Sequence, residues 1–525
     1  MSDYDVVIVG SGINSLVCAA ELTARGRRVL VLERAAVAGG CIRTEEVTVP
    51  GYRHDLFSMS YPLFVTTPFY PALKPRLEAE GVRMVQAAVP TGVLLPDGRS
   101  LLLRQARAEN IAAFDTLHPG DGAAHAAAMA EIERDAPLIF GLLGQEPRSA
   151  ATLKLLGGQL FRRGVDGMAG FSAGGLLPVR DWLEQSFGSD LVRALIAPWV
   201  LHVGLGPESS FSALMAKVVM FTLEMVGIPF VEGGSANIVS AFRRIIEAGG
   251  GAVLTDADVT GITVERGRAR GVVTADGRRF AASRAVVCNV TPTQLYERLL
   301  ADHVVAPDIR RQAAAYRYGR GCMQIHIALS EAPRWADPEL GRVGLLHLTP
   351  GLDGVSRAVN EAERGLLPAE ATIVVGQPAD ADPSRCPPGT SLLWIQLQEL
   401  PRVIRGDASG EIAAPADGRW TDAIADAYAR RIVARLGAHI GNLDTAMLGM
   451  TVLGPHTLEA HNINLVGGDP YSGVCSVDQF HLLRPFAAAR GHAPPVRQLY
   501  QIGASTHPGP GLGGVSGHLV AQAIG

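Results

Sequence analysis

The sequence of 525 residues has few lysines, no paired cysteines and no long apolar run. Only three of its 47 basic residues are lysine, and 51 acidic residues bring the net charge to −4. This balance offers no basic surface for nucleic acid, so no nucleic-acid partner is expected. The six cysteines form no CxxC pair, and the first residues do not resemble a signal peptide. Free thiols and a cytoplasmic location are therefore predicted.

No segment has the roughly 18 uncharged apolar residues of a membrane span. The most apolar stretch, residues 211–231, is interrupted by Lys217 and Glu224. We interpret it as a buried or interfacial helix. The mean hydropathy of +0.18 fits a large apolar interior, and it leaves peripheral contact with a membrane open.

The N-terminal sequence predicts a strand, a glycine turn, a helix and a second strand. Tyr4–Val9 is a continuous apolar run, as expected of a strand buried on both faces. Gly10 and Gly12 follow, and residues 13–25 have a helical apolar pattern. A second strand over residues 28–32 then leads to an acidic residue about 20 positions after the turn, the spacing of a dinucleotide-binding βαβ unit.

Each position of this unit has a physical role. Gly10 allows the tight turn, and Gly12 lets the backbone approach a pyrophosphate at the positive end of the helix. The acidic residue Glu33 can accept hydrogen bonds from ribose hydroxyls and would repel the 2′-phosphate of NADP. Ser15 replaces the third glycine of the motif, and it is small enough for close helix–strand packing.

The residues after Glu33 distinguish FAD from NAD. Arg34 is followed by Gly39-Gly40, and then by Arg43 and Thr44. This arrangement resembles the extension of FAD-binding folds of the glutathione-reductase type, in which the second glycine pair packs against the FAD pyrophosphate. The resemblance therefore implies FAD as the cofactor.

Two later segments resemble the remaining parts of such a fold. Residues 256–264, 271–274 and 285–288 have the pattern of a hairpin and a strand, and the resemblance places the backbone of Val259 against adenine. Residues 499–503 form a strand before a glycine-rich loop and a final helix, whose positive end would stabilise reduced flavin. The residues expected to contact FAD here are Gly503, Ala504, Gly511, Leu512, Gly514 and Val515.

These motifs, with Gly233-Gly234 before a helix and the segment GGDPYSGVCSVDQFHLLRP at 467–485, resemble the phytoene-desaturase-like branch of the FAD-dependent amine oxidase superfamily. The chain is most similar to the subgroup of pyridine nucleotide-disulphide oxidoreductase domain-containing protein 2. The resemblance implies an α/β fold, with a glutathione-reductase-type FAD-binding Rossmann domain and an α+β substrate domain. Residues 467–471 depart from the run that is usual in that subgroup, so the resemblance does not carry over a substrate.

The absence of two motifs argues against two kinds of redox chemistry. Cys41 stands where disulphide reductases have a redox cysteine, but Glu45 and Glu46 occupy the region of its partner, which argues against dithiol chemistry. Gly204 and Gly206 are followed by proline and have no strand–helix context, so no second Rossmann motif for NAD(P)H is present. Oxygen, a quinone or a protein carrier is therefore the expected electron acceptor.

We predict that residues 1–75, 230–300 and 486–525 form the FAD-binding domain, and that residues 76–229 and 301–485 form the substrate-binding domain. In the latter, helices are predicted over 123–143, 191–197, 211–225 and 422–436, strands over 322–328 and 392–397, and surface loops over 377–390 and 401–418. Ordinary core packing is expected of helix 211–225, although the family resemblance also allows it to line an apolar channel. The oligomeric state is left open.

The catalytic side chains are not identified by any motif. His54 and Asp55 follow the FAD segment and could lie near the flavin ring, although a structural turn explains them equally well. Other polar residues could face the substrate or fix the flavin loop, and no metal site is predicted. These weaker candidates are Gln479, Arg484, His507, Asp478, His202, His326 and Lys217.

The leading interpretation is an FAD-dependent dehydrogenase or desaturase that oxidises a mainly apolar substrate by hydride transfer to flavin N5, with oxygen or a quinone as acceptor. One alternative is an amine oxidase that releases hydrogen peroxide, although an aromatic content of only 6% weighs against an aromatic cage for an amine. Another is a non-redox lipid- or prenyl-binding protein on the same fold, but such proteins lose the FAD motifs that this chain keeps.

Overall fold

A computed structural model describes residues 4–489 and 491–525. Residues 1–3, with which the first predicted FAD segment begins, and residue 490 lie outside the described residues. Two seven-stranded sheets dominate the described part of the chain. No helix in this part is long and apolar enough to cross a membrane.

The first sheet is parallel at its centre and extends into an antiparallel hairpin. In spatial order its strands are Val259–Glu265, Arg268–Thr274, Arg279–Cys288, Tyr4–Val9, Val29–Leu32 and Ala252–Leu254, and Leu499–Gln501 also pairs with Arg279–Cys288. The helices packed around it are Ile13–Ala24, Ala236–Ala248 and Val515–Ile524. The parallel strands are buried on both faces, as their continuous apolar sequences require. This arrangement confirms the predicted α/β Rossmann fold.

The second sheet is mixed. Its spatial order is Met447–Leu453, Gly321–Leu329, Ser391–Leu400, Ile373–Gly376, Val343–Leu348, Val89–Leu94 and Ser100–Leu103. The helix Asp422–Gly437 packs on one face of this sheet. The helices on the side of the opposite face are Arg107–Leu117, Asp121–Gly144, Ala150–Leu176, Val179–Ser186, Asp190–Ile196 and Ser212–Val226.

Shorter elements connect these layers. The remaining helices are Pro62–Val65, Tyr70–Ala79, Pro307–Ala314, Leu352–Glu363, Pro378–Ala381, Leu443–Ala446 and Pro455–His461. The remaining strands are Thr44–Glu45, His54–Asp55, Met84–Gln86, Pro229–Val231, Leu366–Leu367 and Gly406–Asp407. The strands of the first sheet fall within the three predicted FAD segments, and those of the second sheet fall within the two predicted substrate segments. The domain boundaries themselves stay predictions.

The segment 377–390, predicted to be a surface loop from its proline and glycine content, is exposed in part and buried around Arg385. Arg385 has no exposed surface, and its guanidinium donates hydrogen bonds to Asp382 Oδ2 at 2.7 Å and to Asp55 Oδ2 at 2.8 Å. Asp382 Oδ2 also accepts from the amide of Gly233 at 2.7 Å. The buried part could not be predicted, because Asp55 and Gly233 are distant in sequence. The buried ion cluster joins this segment to the nucleotide-binding part of the chain.

We predict that Arg385→Ala lowers the free energy of unfolding by about 3–5 kcal/mol, because two buried carboxylates would lose their counter-charge. A lower midpoint of thermal unfolding would show this effect. The matched control is Arg419→Ala, which removes an exposed arginine that approaches Asp417 only to 3.8 Å. Equal midpoints for the two variants would show that the buried cluster does not stabilise the fold.

Candidate functional site

A cavity of about 910 Å³ extends from the carboxyl edge of the first sheet to the second sheet. Fourteen of the sixteen residues predicted to bind the cofactor line it. They are Gly10, Gly12, Glu33, Arg34, Gly39, Gly40, Arg43, Val259, Gly503, Ala504, Gly511, Leu512, Gly514 and Val515. The fold therefore brings together residues that are up to about 500 positions apart in the chain.

The two other predicted cofactor residues lie behind the cavity wall. Ser15 is buried, and its hydroxyl accepts a hydrogen bond from Asn289 Nδ2 at 3.0 Å. The hydroxyl of Thr44 donates to Asp55 Oδ1 at 2.6 Å and accepts from the amide of Ala236 at 3.0 Å. Both side chains hold backbone segments in place, and neither faces the cavity.

The nucleotide end of the cavity has the groups that a dinucleotide requires. Helix Ile13–Ala24 begins after Gly12, which has no side-chain cap, so the positive end of the helix faces the cavity. Glu33 Oε2 accepts from the amide of Ser11 at 2.9 Å and from its hydroxyl at 2.6 Å. These bonds hold the carboxylate at the cavity wall, where it can accept further hydrogen bonds from a ribose.

Asn289 explains why glycines are needed around this end. Its backbone amide donates to Val9 O at 2.9 Å. A Cβ atom at Gly12 would lie 3.0 Å from Asn289 Nδ2, and one at Gly10 would lie 3.1 Å from Asn289 O. A Cβ at Gly503 would also collide with the amide oxygen of Asn289. Glycine is therefore favoured at these three positions because a side chain at any of them would meet Asn289.

The C-terminal loop reaches the same cavity from the other side. Gly514 has a φ of 77°, a left-handed conformation that favours glycine, and it begins the helix Val515–Ile524. Arg484 is completely buried beneath this loop and donates to Ala504 O and Tyr471 O, both at 2.9 Å. Arg484 thus supports the loop and does not face the substrate.

The other catalytic candidates are also placed outside the cavity wall. His54 is buried, its Nε2 atom lies 2.8 Å from Thr48 Oγ1, and burial lowers its pKa to about 3. Asp55 belongs to the buried ion cluster of Arg385. Gln479 Nε2 donates to Arg317 O at 2.9 Å. A structural role therefore explains the His54–Asp55 pair better than a position near the flavin ring.

Four further candidates also lie away from the cavity. His507 is buried, and its carbonyl accepts from His492. Lys217 forms an ion pair with Glu131 at 2.7 Å, and His326 is buried with its ring centroid 5.2 Å from that of His54. Asp478 pairs with Arg317 at the surface. None of these four side chains faces the cavity.

His202 is the histidine candidate that does reach the cavity. Its Nε2 atom is hydrogen-bonded to Nε2 of His347 at 2.9 Å, and its ring centroid lies 4.6 Å from that of Trp199. Desolvation lowers the pKa of His202 to about 3, and it also lowers the pKa of His347. Both rings are therefore neutral at physiological pH, and His202 is a weak base.

Helix Ser212–Val226 forms an apolar wall of the cavity, which corrects the expectation of ordinary core packing. Its residues Met215, Val218, Val219, Phe221 and Met225 line the cavity, and the opposite side of the helix packs into the core. The sequence could not separate these functions, because both faces of a helix between a core and an apolar channel are apolar.

Three glutamines that the sequence reasoning missed lie in the wall formed by the second sheet. Gln324 is the antiparallel partner of Gln396 on the neighbouring strand, and Gln398 lies on the same face two residues further. All three line the cavity, and we call them the glutamine floor. The available signal was Gln396-Leu-Gln398 in the largely apolar strand Ser391–Leu400, which also contains Glu399, because alternate residues share one face of a strand.

Cys41 also lines the cavity, but all six cysteines are free. Burial raises the pKa of the Cys41 thiol to about 11, and its sulfur accepts a weak hydrogen bond from Asn462 Nδ2 at 3.5 Å. The thiol is therefore protonated at physiological pH and is a poor nucleophile.

A Rossmann fold whose dinucleotide cradle opens into a deep apolar cavity defines a cofactor-dependent oxidoreductase. The sequence profile of the family described as flavin containing amine oxidoreductase matches residues 16–522. The chain belongs to this family and is an FAD-dependent oxidoreductase. The predicted family and cofactor are thereby confirmed.

Individual relatives match along nearly the whole chain. Pyridine nucleotide-disulfide oxidoreductase domain-containing protein 2 of Rattus norvegicus is 26% identical over 99% of this chain and 93% of its own length. Neurosporene-forming phytoene desaturase of Cereibacter sphaeroides is 25% identical over 99% of this chain and 94% of its own. The crystal structure of an oxidoreductase from Methanosarcina mazei has a TM-score of 0.62 at 16% identity, covering 99% of this chain and 100% of that one.

We predict that Gly12→Val and Glu33→Arg give protein that purifies without the yellow colour of bound flavin. The first change places a side chain against Asn289, and the second removes the ribose acceptor and adds a cation. The FAD content of purified protein, measured by absorbance after release, checks both. Gly261→Ala is the control, since a Cβ there meets no atom within 4 Å. Full FAD content in both variants would contradict the assignment of this cradle.

Proposed function

We propose that the protein dehydrogenates a mainly apolar organic substrate that lies in the cavity between the flavin and the glutamine floor. The observation that carries the proposal is the apolar wall of helix Ser212–Val226 along a cavity that continues into the nucleotide cradle. Phe57, Leu345 and Phe480 add further apolar surface. Such a wall favours apolar molecules because their transfer out of water is the main driving force for binding.

The residues around the cradle support a specific placement of FAD. Glu33 would accept from the ribose, Val259 would contact adenine through its backbone, and Gly12 and Gly40 would approach the pyrophosphate. The positive end of helix Val515–Ile524 would face the flavin, where it favours the negative charge of the reduced ring. When bound, FAD supplies the hydride acceptor at N5.

The chain's own contribution to the reaction is to position the substrate. The apolar wall orients the substrate C–H bond towards the flavin end of the cavity. The neutral His202–His347 pair is too weak a base to accept the second proton of the substrate. That proton therefore leaves to water. Flavin reoxidation by oxygen or a quinone follows from the absence of a second nucleotide-binding motif in the sequence.

An amine oxidase is the second candidate, because the family is described by amine oxidation. An ammonium group buried in the cavity would need an anionic partner. The carboxylates that line the cavity, Glu33 and Asp258, belong to the nucleotide end. Within the described residues, the substrate end has no carboxylate in its lining, which favours an uncharged substrate.

An exposed apolar helix packs against helix Ser212–Val226, whose other side lines the cavity. Phe161, Val165 and Leu153 of helix Ala150–Leu176 are 93%, 74% and 68% exposed, and the few buried residues of this helix include the polar Thr152 and Gln159. Among the residues that line the cavity, Leu63, Phe140 and Met225 are also exposed. Helix Ala150–Leu176, which is kinked at Gly164, therefore presents its apolar residues outwards.

We infer that this helix docks on the surface of a lipid bilayer that contains anionic lipids. Lys154 and Arg162 are exposed on this helix beside the single acidic residue Asp166, whereas Arg163 pairs with Asp135 at 2.8 Å. Cations beside apolar side chains are typical of helices that bind such surfaces. Docking would give an apolar substrate a path from the bilayer to the cavity without passage through water.

For the reaction, we predict that anaerobic mixing with uncharged isoprenoid compounds bleaches the flavin, whereas NADH and NADPH do not. Flavin absorbance in a stopped-flow experiment is the measurement, and readmitted oxygen or an added quinone should restore the colour.

Val219→Glu should slow bleaching about tenfold or more, because it places a charge on the apolar wall. Leu448→Glu, at an exposed position, is the control. Bleaching by amines alone would favour the amine oxidase.

For the membrane, we predict that the protein floats with vesicles of phosphatidylcholine and phosphatidylglycerol. The double variant Phe161→Asp and Val165→Asp should reduce the vesicle-bound fraction about tenfold, with unchanged FAD content, because it removes apolar contact and adds negative charge. Val403→Asp, at another exposed apolar position, is the control. Equal flotation of all forms would refute docking through this helix. If the unmodified protein instead sediments as a dimer and the double variant as a monomer, the helix docks on a second copy of the chain.

A further inference from the structure

Dehydrogenation produces a proton that must reach water from an apolar cavity. When a substrate loses two hydrogens, one leaves as hydride with both electrons of its C–H bond. The other leaves as a proton, and the electron pair of its bond forms the new π bond. The residues of helix Ser212–Val226 that line the cavity include no basic side chain. A side chain that accepts this proton must therefore lie elsewhere in the lining.

Most titratable side chains of the lining are unsuited to accept a proton. Glu33 and Asp258 belong to the nucleotide end, and burial lowers the pKa of His202 to about 3. The arginines are permanently protonated. Burial raises the pKa of the thiols and phenols and keeps them protonated; these are Cys41, Cys322, Cys475, Tyr61 and Tyr471. Among the described residues of the lining, His461 is the titratable side chain that remains.

The ring of His461 has one nitrogen in use and one free. His461 ends helix Pro455–His461 and is half-buried. Its Nδ1 atom lies 2.8 Å from Thr457 O. Because a carbonyl oxygen only accepts, Nδ1 carries the hydrogen of the neutral ring, and the lone pair is on Nε2.

The free nitrogen is open to the cavity. Nε2 of His461 makes no hydrogen bond within the described residues, yet it is not one of the buried atoms that lack a partner, as both nitrogens of His326 are. It therefore has accessible surface, on a side chain that lines the cavity. An acceptor with accessible surface and no partner in the protein is what proton transfer from a substrate requires.

The segment that begins at His461 touches both sides of the nucleotide cradle. Asn462 Nδ2 donates to the sulfur of Cys41 at 3.5 Å, directly after Gly39-Gly40. Asn464 Oδ1 accepts from the amide of Thr291 at 2.9 Å, two residues after Asn289. These contacts hold the segment against the part of the cavity that binds the cofactor.

The ring of His461 also connects to the second sheet. It meets the ring of Phe57 edge-on, with 5.9 Å between the ring centroids. Phe57 O in turn accepts from Gln324 Nε2 at 3.0 Å. His461 therefore lies between the cradle and the glutamine floor, which is the part of the cavity where substrate and cofactor must meet.

We propose that His461 is the catalytic base of the dehydrogenation, and that its Nε2 atom accepts the substrate proton and passes it to water. This inference rests on the proposed function and deepens it. The proton adds to the lone pair of Nε2 and gives an imidazolium ring with a hydrogen on each nitrogen. The bond from Nδ1 to Thr457 O stabilises that charged form. Loss of the Nε2 hydrogen to water then restores the neutral ring.

The first test needs no substrate. Diethyl pyrocarbonate acylates imidazole nitrogens that are unprotonated and accessible, and mass spectrometry of peptides locates the adduct. In the oxidised, FAD-loaded protein, His461 is expected to react about tenfold or more faster than His326, both of whose nitrogens are buried. Reaction of His461 no faster than that of His326 would overturn the proposal, because Nε2 would not be open to the cavity.

The second test is His461→Asn, whose side-chain amide can still donate to Thr457 O but has no counterpart of Nε2. Anaerobic bleaching by the isoprenoid hydrocarbons farnesene and squalene should slow about a hundredfold, with unchanged FAD content. Added imidazole should restore part of the rate. The unmodified protein should also lose rate in acid, because a protonated ring accepts no proton, and the variant should lack this loss.

His456→Asn is the matched control. His456 lies on the same helix, pairs with Asp422 at 2.9 Å and does not line the cavity. Its replacement should leave the bleaching rate unchanged. Equal slowing in both variants would show that the helix, and not the base, had been disturbed.

The outcome can be separated from that of the proposed function. Bleaching of His461→Asn at the unmodified rate would reject His461 as the base and leave dehydrogenation standing. A slow variant that imidazole does not rescue and that keeps the loss of rate in acid would assign His461 a structural role and overturn the proposal. If no isoprenoid bleaches the unmodified protein, dehydrogenation is rejected, and the base with it, even where Nε2 reacts with diethyl pyrocarbonate.

Discussion

The nucleotide cradle depends on the packing of one asparagine against three glycines from two distant chain segments. Asn289 ends the strand Arg279–Cys288 and occupies the space that side chains at Gly10, Gly12 and Gly503 would need. The first and last segments of the chain therefore meet at the same point, with backbone facing the cavity. Because these segments meet without side chains between them, their backbone groups can approach a dinucleotide pyrophosphate closely.

The second sheet completes the molecule by closing the cavity opposite the cradle. The buried ion cluster of Arg385, Asp55 and Asp382 links the segment after the first glycine motif to the substrate side of the chain. Burial of these charges costs desolvation free energy, and loss of one partner would strongly destabilise the fold. The cluster holds the flavin segment and the substrate wall in a defined relative position, which hydride transfer requires because the reacting atoms must be in contact.

The sequence predicts the nucleotide-binding half far better than the substrate half. Residues 4–44 carry a local motif, in which strand, turn, helix and acidic residue follow at fixed spacings, and the structure has these elements within one residue of their predicted bounds. The floor could not be predicted, because the register between two strands 70 residues apart places Gln324 beside Gln396. The burial of Arg385 could not be predicted for the same reason, since its partner Asp55 is remote in sequence.

Helix Ser212–Val226 connects the two surfaces on which the proposed function depends. One side of it lines the cavity with apolar side chains, and it packs against helix Ala150–Leu176. An apolar substrate that leaves a bilayer at helix Ala150–Leu176 would therefore exchange its lipid contacts for the apolar side chains of the cavity wall. The hydrophobic driving force is then kept along the path, because little apolar surface need be exposed to water.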